Sequence, residues 1–167
     1  MKRIYAGLIA LVLAVSASAA CADELRIGIV NTERVLRESA PAVAAQKRIE
    51  KEFAARDQNL QKMAKQAKDL QAELDKEGMT MSDADRAAKE RDLANLSRDF
   101  QRMQREFRED LNLRKNEELA VVIEKANKAI TNIAQSEKYD LILQDAVYRS
   151  PKIDITDKVI KALANEK

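Results

Sequence analysis

The sequence predicts a mainly α fold with a small β component, in which a long antiparallel helical hairpin of the coiled-coil type projects from a small α+β body. Between residues 42 and 136 the chain has no proline and one glycine, Gly78, so long helices are expected there. Apolar residues in this stretch recur at alternating spacings of four and three, which is the heptad pattern of packed helices. Short runs with strand-like alternation on either side predict the body.

The predicted boundaries divide the chain into three parts. They are a signal peptide at 1–22, a body at 23–40 and 119–167, and an arm at 41–118 whose tip lies near 78–82. The names body and arm are used below for these residues.

The first 22 residues have the layout of a secretory signal peptide. Two basic residues precede an apolar run at 4–15, and small residues follow it. Cleavage after Ala22 predicts an exported, periplasmic chain that has lost its only cysteine, Cys21. In the alternative interpretation the chain is a lipoprotein that keeps Cys21 as its acylated first residue, although Ser18 stands where such signals usually carry leucine.

The charge of the cleaved chain argues against nucleic acid as a partner. The whole sequence has 30 Lys and Arg against 28 Asp and Glu. Two of the basic residues, Lys2 and Arg3, belong to the signal peptide, so the remaining chain is formally neutral. A protein that binds nucleic acid through its phosphates is expected to be basic, and we therefore expect no nucleic-acid partner.

The composition offers little for catalysis or cofactor binding. The chain has no histidine, which is the commonest general base and metal ligand. Only Gly28 and Gly78 remain after cleavage, so a glycine-rich phosphate loop is excluded. Carboxylates alternate with basic residues on predicted helical surfaces, which is typical of solvated charge. We expect no enzyme activity, no catalytic residue, no cofactor and no metal site.

The body begins with a strand and a short helix. Residues 25–31 are predicted to form a short strand, with Leu25, Ile27 and Ile29 on one of its faces. Asn31 or Thr32 is a suitable N-cap for a helical turn at 33–38. Pro41 then suits the first turn of the long helix.

The arm is predicted to turn at residues 78–82. Gly78 can adopt the left-handed conformation that ends helices. Ser82 can cap the next helix, and Asp85 three residues later completes a capping pattern whose carboxylate suits the positive helix end.

The facing residues of the two limbs should have numbers that add to about 160, because both helices rise equally per residue. Phe53 with Phe107 fits this register, as do several other apolar pairs. The seam predicted for the arm consists of Ile49, Phe53, Leu60, Leu93, Phe100, Phe107 and Leu111. Gln46 and Arg56 are polar residues at seam positions and suggest a limber arm.

The second limb is predicted to extend past the first by about 17 residues. Six apolar residues of this extension are expected to pack onto the strands of the body: Leu119, Val122, Ile123, Ala126, Ile130 and Ile133. Residues 139–144 and 147–149 are predicted as the second and third strands. Asp154 can cap a final helix whose buried stripe is Ile155, Val159, Ile160 and Leu163. Such a small body with open strand edges is expected to oligomerise.

Exposed basic and methionine side chains of the arm are the candidate contacts with other proteins. The basic ones are Lys62, Lys65, Lys68, Arg98, Arg102 and Arg105, and Met79 and Met81 flank the tip. The basic residues can equally form a solvated face, and the methionines can equally cover the tip. The seam phenylalanines are interpreted as core of the arm.

Several features occur along the chain in a characteristic order: the signal peptide, Ile27-Gly28-Ile29-Val30-Asn31 followed by Arg34-Val35, the long charged helical middle, and Tyr139-Asp140-Leu141-Ile142-Leu143 with Asp154-Ile155-Thr156. Their resemblance to the Skp/OmpH family of periplasmic chaperones covers almost the whole cleaved chain. It implies a homotrimer whose body is a shared small β-barrel, with three arms that enclose a cavity. It also implies binding of unfolded outer-membrane proteins without ATP. The family's familiar members are strongly basic, whereas this cleaved chain is balanced.

The expected function is therefore that of an ATP-independent periplasmic holdase, which keeps unfolded outer-membrane proteins from aggregating on their way to the outer membrane. Its expected partners are these clients, other copies of the chain and a membrane surface. The alternative is a structural coiled-coil spacer or adaptor of the cell envelope. The polar seam positions Gln46 and Arg56 favour the chaperone, because a spacer calls for a rigid rod.

Overall fold

A computed structural model of the protein describes residues 24–165. The elements in chain order are strand β1 (Ile27–Val30), helix α1 (Thr32–Glu38), helix α2 (Ala40–Glu77), helix α3 (Asp83–Ser136), strand β2 (Leu141–Gln144) and helix α4 (Thr156–Asn165). The predicted fold class, mainly helical with a small β component, is confirmed. The predicted signal peptide, together with the alternative of an acylated Cys21, lies outside the described residues.

Helices α2 and α3 pack against each other as an antiparallel hairpin, as predicted. They are 38 and 54 residues long, so α3 exceeds α2 by 16 residues, close to the predicted extension. Ion pairs join the two helices both near the body and near the tip. Arg56 Nη1 lies 2.8 Å from Asp110 Oδ2, and Lys89 Nζ lies 2.7 Å from Glu73 Oε1.

The seam of the arm is packed most tightly near the body. Phe53 and Phe107 meet edge to face, with ring centroids 5.5 Å apart, so the predicted facing of these two residues is confirmed. Ile49 and Phe53 are buried. The other predicted seam residues are half-buried, namely Leu60, Leu93, Phe100, Phe107 and Leu111. The part of the arm beyond Phe53 therefore has the looser packing.

One predicted seam position is wrong. Gln46 is exposed, and its side-chain amide donates to Glu50 Oε1 over 2.8 Å. Ala45 is buried instead. A straight helix has 3.6 residues per turn, so a heptad pattern counted from the middle of the arm drifts around the helix by the time it reaches the end.

The turn at the tip agrees with the prediction at Ser82 and departs from it at Gly78. Ser82 Oγ accepts a hydrogen bond from the Asp85 backbone N–H over 3.1 Å and caps α3. Gly78 has φ of −56° and ψ of −30°, so the predicted left-handed conformation is wrong. A Cβ at this position would collide with the Leu74 carbonyl oxygen. Glycine is therefore required for space rather than for a positive φ.

The first elements of the body follow the predicted caps. Asn31 Oδ1 accepts from the Arg34 backbone N–H over 2.9 Å, so Asn31 rather than Thr32 caps α1. Pro41 lies in the first turn of α2, as predicted. The first strand is shorter than predicted, because Leu25 is exposed and precedes β1.

Strand β1 lies in the middle of the body. It pairs in parallel with β2, with Ile27 opposite Leu141. On its other side, the Ile29 N–H donates to the Ile153 carbonyl over 2.8 Å, and the Ile29 carbonyl accepts from the Ile155 N–H over 2.9 Å. Strand β2 has no strand on its outer side among the described residues, so this edge of the sheet is open.

The predicted third strand at 147–149 is wrong, since the described sheet has only β1 and β2. Asp145, just after β2, has a φ of 52°. This left-handed residue turns the chain away from the sheet, and Val147 and Tyr148 are almost fully exposed. Residues 147–149 therefore have no partner strand within the described part of this single chain.

The body core forms between α3, α4 and the strands. Its buried residues are Val30, Val35, Ala126, Ala129, Ile155, Val159 and Leu163. The predicted stripe of α4 is thereby confirmed, with Ile160 partly buried against the same core. Asp154 Oδ1 accepts from the Thr156 backbone N–H over 2.9 Å, which confirms the predicted cap. Thr156 Oγ1 in turn accepts from the Asn31 N–H over 2.9 Å and joins α4 to the end of β1.

The extension of α3 packs into the body along one face only. Val122 and Ala126 are buried, as predicted. Leu119 and Ile123 are 43% and 40% exposed, so the prediction that they pack onto the strands is wrong. Each residue turns a helix by 100°, and the positions beside the 122–126 line therefore lie at the edge of the contact. Ile123 lines an open cleft of about 140 Å³ instead.

Candidate functional site

Charged side chains from both helices of the hairpin meet at the base of the arm. Arg48 Nε donates to Glu118 Oε1 over 3.1 Å, and Arg48 Nη2 donates to Oε2. Arg114 Nη2 lies 2.8 Å from Glu118 Oε1, and Arg114 Nε donates to Glu52 Oε2 over 3.0 Å. The Glu118 side chain is only 7% exposed. These four residues, the ion cluster, fix α2 against α3 where the arm joins the body.

Sequence reasoning missed the buried carboxylate of the ion cluster. Nearly all the carboxylates of the helices lie among basic residues in the sequence, a pattern that predicts solvated charge. Glu118 follows the seam residue Leu111 by seven positions, and that spacing places it on the seam. An acidic residue at a seam position is thus the signal by which the ion cluster could be found.

The ion cluster predicts a change in acid stability. The hydrogen bond from Arg48 lowers the pKa of the Glu118 carboxyl, although burial acts in the opposite direction. A carboxyl whose pKa is lowered by folding stabilises the fold above its unfolded pKa, and this stability is lost as the pH falls through the folded value. Glu118→Gln should therefore flatten the decrease in melting temperature below about pH 4.5, measured by circular dichroism.

The control for this prediction is the neighbouring carboxylate Glu117. It lies 3.0 Å from Arg114 Nη1, but its side chain is 53% exposed. Glu117→Gln should leave the acid dependence close to that of the unchanged protein, because exposed ion pairs contribute little. If Glu118→Gln had the same acid dependence as Glu117→Gln, the ion cluster would not stabilise the arm.

Arg56 lies beside the phenylalanine pair of the seam. Its Cζ is 5.6 Å from the Phe53 ring centroid and 5.8 Å from that of Phe107, within the range of a cation–π contact. Its Nη1 also reaches Asp110, on the other helix. The residue that the sequence marks as a polar defect therefore bridges the two helices and adds to their contact.

Four of the six basic candidates on the arm are free. Lys62, Lys65, Lys68 and Arg105 are exposed, and their side chains make no hydrogen bond or ion pair within residues 24–165. Three of them follow one another along α2, with no carboxylate between Lys62 and Lys68. Their charges are therefore available to a partner.

The other two basic candidates are engaged on their own helix. Arg98 Nη2 donates to the side-chain oxygen of Asn95. Arg102 lies 3.2 Å from both Asp99 and Glu106, and these neighbours raise its pKa. Arg102 is thus the basic candidate most engaged by carboxylates of its own chain.

The two methionines near the tip differ in exposure. Met79 is 98% exposed, whereas Met81 is half-buried. Met79 thus extends into solvent, and Met81 partly covers the tip. The exposure of Met79 fits a contact with another protein, and the partial burial of Met81 fits a cover for the tip.

Neither a metal centre nor a membrane span is found in the part of the chain that the structure describes. Within residues 24–165, no three His, Cys, Asp or Glu side chains are arranged to hold a metal ion. None of the helices described there combines the length and apolar character that crossing a membrane requires.

Comparisons with known proteins cover most of the chain. A family model described as outer membrane protein (OmpH-like) matches residues 26–163. Proteins named chaperone protein Skp from Pectobacterium atrosepticum and Yersinia enterocolitica are each 30% identical over 162 residues, which cover 96% of this chain and 97% of the relative. The protein of that name from Escherichia coli K12 is 32% identical over 152 residues, 89% of this chain and 91% of its own.

A solved structure described as OmpH-like, from Caulobacter crescentus CB15, has the same fold. It superposes with a TM-score of 0.70 at 19% identity, over 84% of this chain and 85% of its own. The family model, the near full-length relatives and the shared fold all agree with the resemblance seen in the sequence. The chain belongs to the Skp/OmpH family.

Proposed function

We propose that this protein is a periplasmic chaperone that holds unfolded outer-membrane proteins and keeps them soluble, without ATP and without catalysing a reaction. The observation that carries the proposal is family membership over nearly the full length, since relatives of matching length are named chaperones. The arm adds physical support. It extends a long, charged and weakly buried surface away from the body, with free lysines on α2 and an exposed Met79 at the tip.

We further propose that the body assembles into a homotrimer. Strand β2 has an open edge, and Leu141 and Leu143 on it are 46% and 42% exposed. Val147 and Tyr148 extend from the body without contact to its core. Apolar side chains beside an unpaired strand edge favour association with another chain. In a trimer, three arms projecting from one shared body would surround a cavity.

The proposed mechanism is confinement through many weak contacts. An unfolded outer-membrane strand alternates apolar and polar residues, so a mixed surface can hold it at several points at once. The free lysines offer charge, and Met79 offers a flexible apolar side chain. Enclosure keeps one client from meeting another, which prevents aggregation. Release then requires no nucleotide, because folding into a bilayer buries the apolar face of the client.

The test combines mass with aggregation. The purified protein should sediment as a trimer. When an unfolded outer-membrane barrel protein is diluted from denaturant into buffer without nucleotide, light scattering should stay low at one trimer per client and rise at one tenth of that ratio. A holdase acts stoichiometrically, because each cavity is occupied until its client leaves.

A matched pair of variants tests the proposed contacts in the same assay. Lys62, Lys65 and Lys68 changed together to glutamine should weaken client binding mainly at low salt, because exposed charges are screened over about 10 Å at 0.1 M. Lys47, Lys51 and Lys115, also exposed and without a partner in the described chain, provide a control with the same loss of charge.

A protein that needed ATP to hold the client, or that did not suppress scattering, would instead fit the spacer or adaptor.

A further inference from the structure

Charge is segregated along the arm, and its middle is basic. A basic belt is formed by residues 58–68 on α2 and 93–105 on α3. It contains six cations and one carboxylate, Asp99, and so has a net charge of +5. The cations are those of the candidate set, Lys62, Lys65, Lys68, Arg98, Arg102 and Arg105, and four of them have no partner in the described chain. Carboxylates border the belt on both helices, and Glu106 pairs with Arg102, so the charge left for a partner is that of the four unpaired cations.

The end of the arm has the opposite charge. Residues 73–90, the acidic end, contain six carboxylates and three cations, a net charge of −3. Two of these cations are engaged inside the segment, as Lys89 lies 2.7 Å from Glu73 and Arg86 lies 2.9 Å from Glu90. The other carboxylates are all exposed, and Lys76 is the remaining cation that can offset them, although the charge of Lys89 also acts on Glu77 and Asp85.

The four remaining carboxylates are Asp75, Glu77, Asp83 and Asp85. The side chains of Glu77 and Asp83 make no hydrogen bond or ion pair within residues 24–165. Asp75 and Asp85 accept one hydrogen bond each, from the neutral side chains of Gln71 and Ser82. The acidic end therefore presents its full excess of negative charge to solvent, with Met79 at its centre.

We propose that the basic belt binds the acidic end of a second copy of the chain whose arm runs in the opposite direction. The belt is centred about 16 residues before the turn, which corresponds to about 25 Å along a helix. When two arms overlap antiparallel by that length, each acidic end lies on the other arm's basic belt. One overlap therefore satisfies both contacts, as in a two-fold symmetric interface.

Arms that point in the same direction cannot make this contact, because their acidic ends lie side by side and repel each other. The contact therefore joins two separate assemblies through their arms. Under the proposed function, two cages would then face each other and enclose a larger common space. The self-association itself does not depend on client binding, so it can be tested without a client.

The contact is expected to be weak and strongly dependent on salt. Each exposed ion pair contributes little, and several must act together. The field of a charged group reaches about 30 Å at 0.01 M salt and about 8 Å at 0.15 M. Met79, which is 98% exposed, can lie on the aliphatic parts of the lysines of the belt.

Sedimentation velocity of the whole protein tests the proposal. At 20 mM salt we expect a species of twice the mass found at 300 mM salt, with a dissociation constant lower by on the order of tenfold or more because screening is weaker. Changing Glu77 and Asp83 to lysine should abolish the doubling at low salt. Changing Lys62 and Lys65 to glutamate should also abolish it. Mixing these two variants should restore both end-to-belt contacts, one of them with its charges reversed, and with them the heavier species.

The matched control reverses two charges elsewhere. Glu109 and Glu124 are exposed and have no partner in the described chain, so Glu109→Lys with Glu124→Lys makes the same change in net charge. This variant should keep the salt-dependent doubling. A mass that does not change with salt, a control that loses the doubling, or a mixture that fails to restore it would overturn the proposal.

Chemical crosslinking gives a second, independent measurement. A carbodiimide joins lysines to carboxylates that are in direct contact. Links between Lys62 or Lys65 and Glu77 or Asp83 should appear at low salt in a mixture of ¹⁴N and ¹⁵N chains, and they should join chains of different isotope. Lys65 and Lys62 lie 12 and 15 residues before Glu77, about 18 and 23 Å along α2, and this separation prevents the same link within a chain. Links restricted to one isotope, or none between these residues, would contradict the proposal.

Discussion

Replacing Leu163 by alanine is expected to lower the free energy of unfolding by about 2–5 kcal/mol, the usual cost of removing a leucine side chain from a packed core. Leu163 is 1% exposed and lies in the body core with Val159 and Ile155. So small a core has few other side chains with which to fill the space. Denaturation followed by tyrosine fluorescence measures the change, because Tyr139 packs against this core whereas Tyr148 is already exposed in the folded chain.

Leu113→Ala is the control for the body core. Leu113 is on α3 and is 60% exposed, so its truncation should change the free energy of unfolding by less than about 0.5 kcal/mol. If Leu163→Ala were no less stable than this control, α4 would not be a part of the body core. Because alanine is a good helix former in both positions, a difference between the two variants reports packing rather than helix propensity.

The features that the sequence predicts well depend on neighbouring residues. Ser82 and Asp85 are three positions apart, and a cap formed by that pair needs nothing from the rest of the chain. Asn31 and Asp154 cap their helices in the same local manner. The Phe53 and Phe107 contact is long-range, yet it follows from the length of two uninterrupted helices and one turn.

The features that the sequence does not predict depend on surroundings that no local pattern contains. Gly78 adopts a right-handed helical conformation. Glycine is needed there because a Cβ would collide with the Leu74 carbonyl oxygen, and not because φ is positive. Val147 and Tyr148 have the residue types of a strand, but the turn at Asp145 leads them away from the sheet. Strand propensity describes a residue that fits a half-buried surface, and a strand still needs a partner.

The sequence predicts that the charged residues of the arm are exposed, but it does not predict which of them form ion pairs. Their exposure follows from the heptad pattern, and the free state of Lys62 and Lys65 agrees with it. Arg102 has a similar sequence context, yet it is engaged by two carboxylates. Glu118 has basic neighbours like the others, and it is nevertheless buried between two helices. Which charge is paired depends on the packing across the hairpin and on side-chain geometry.

Phe53→Ala is expected to cause the second large loss of stability, and it tests the packing between the two helices of the hairpin. Phe53 is 6% exposed, and its ring meets Phe107 at 5.5 Å with an interplanar angle of 82°. Truncation removes this contact and the one to Arg56, so the free energy of unfolding should fall by about 3–5 kcal/mol, as for other buried phenylalanines. Thermal unfolding followed by the helical signal at 222 nm measures the loss.

Phe100→Ala is the matched control, because it removes the same ring from the looser part of the same seam. Phe100 is half-buried, so its loss should be clearly smaller than that of Phe53. The arm would then be anchored at its base, by the phenylalanine pair and the ion cluster of Arg48, Glu52, Arg114 and Glu118, and only weakly held toward the tip. Such an arm can bend around clients of different sizes while its base stays fixed on the body. Equal losses in the two variants would mean that the seam is uniform along its length, and the arm would then behave as the rigid rod that a spacer requires.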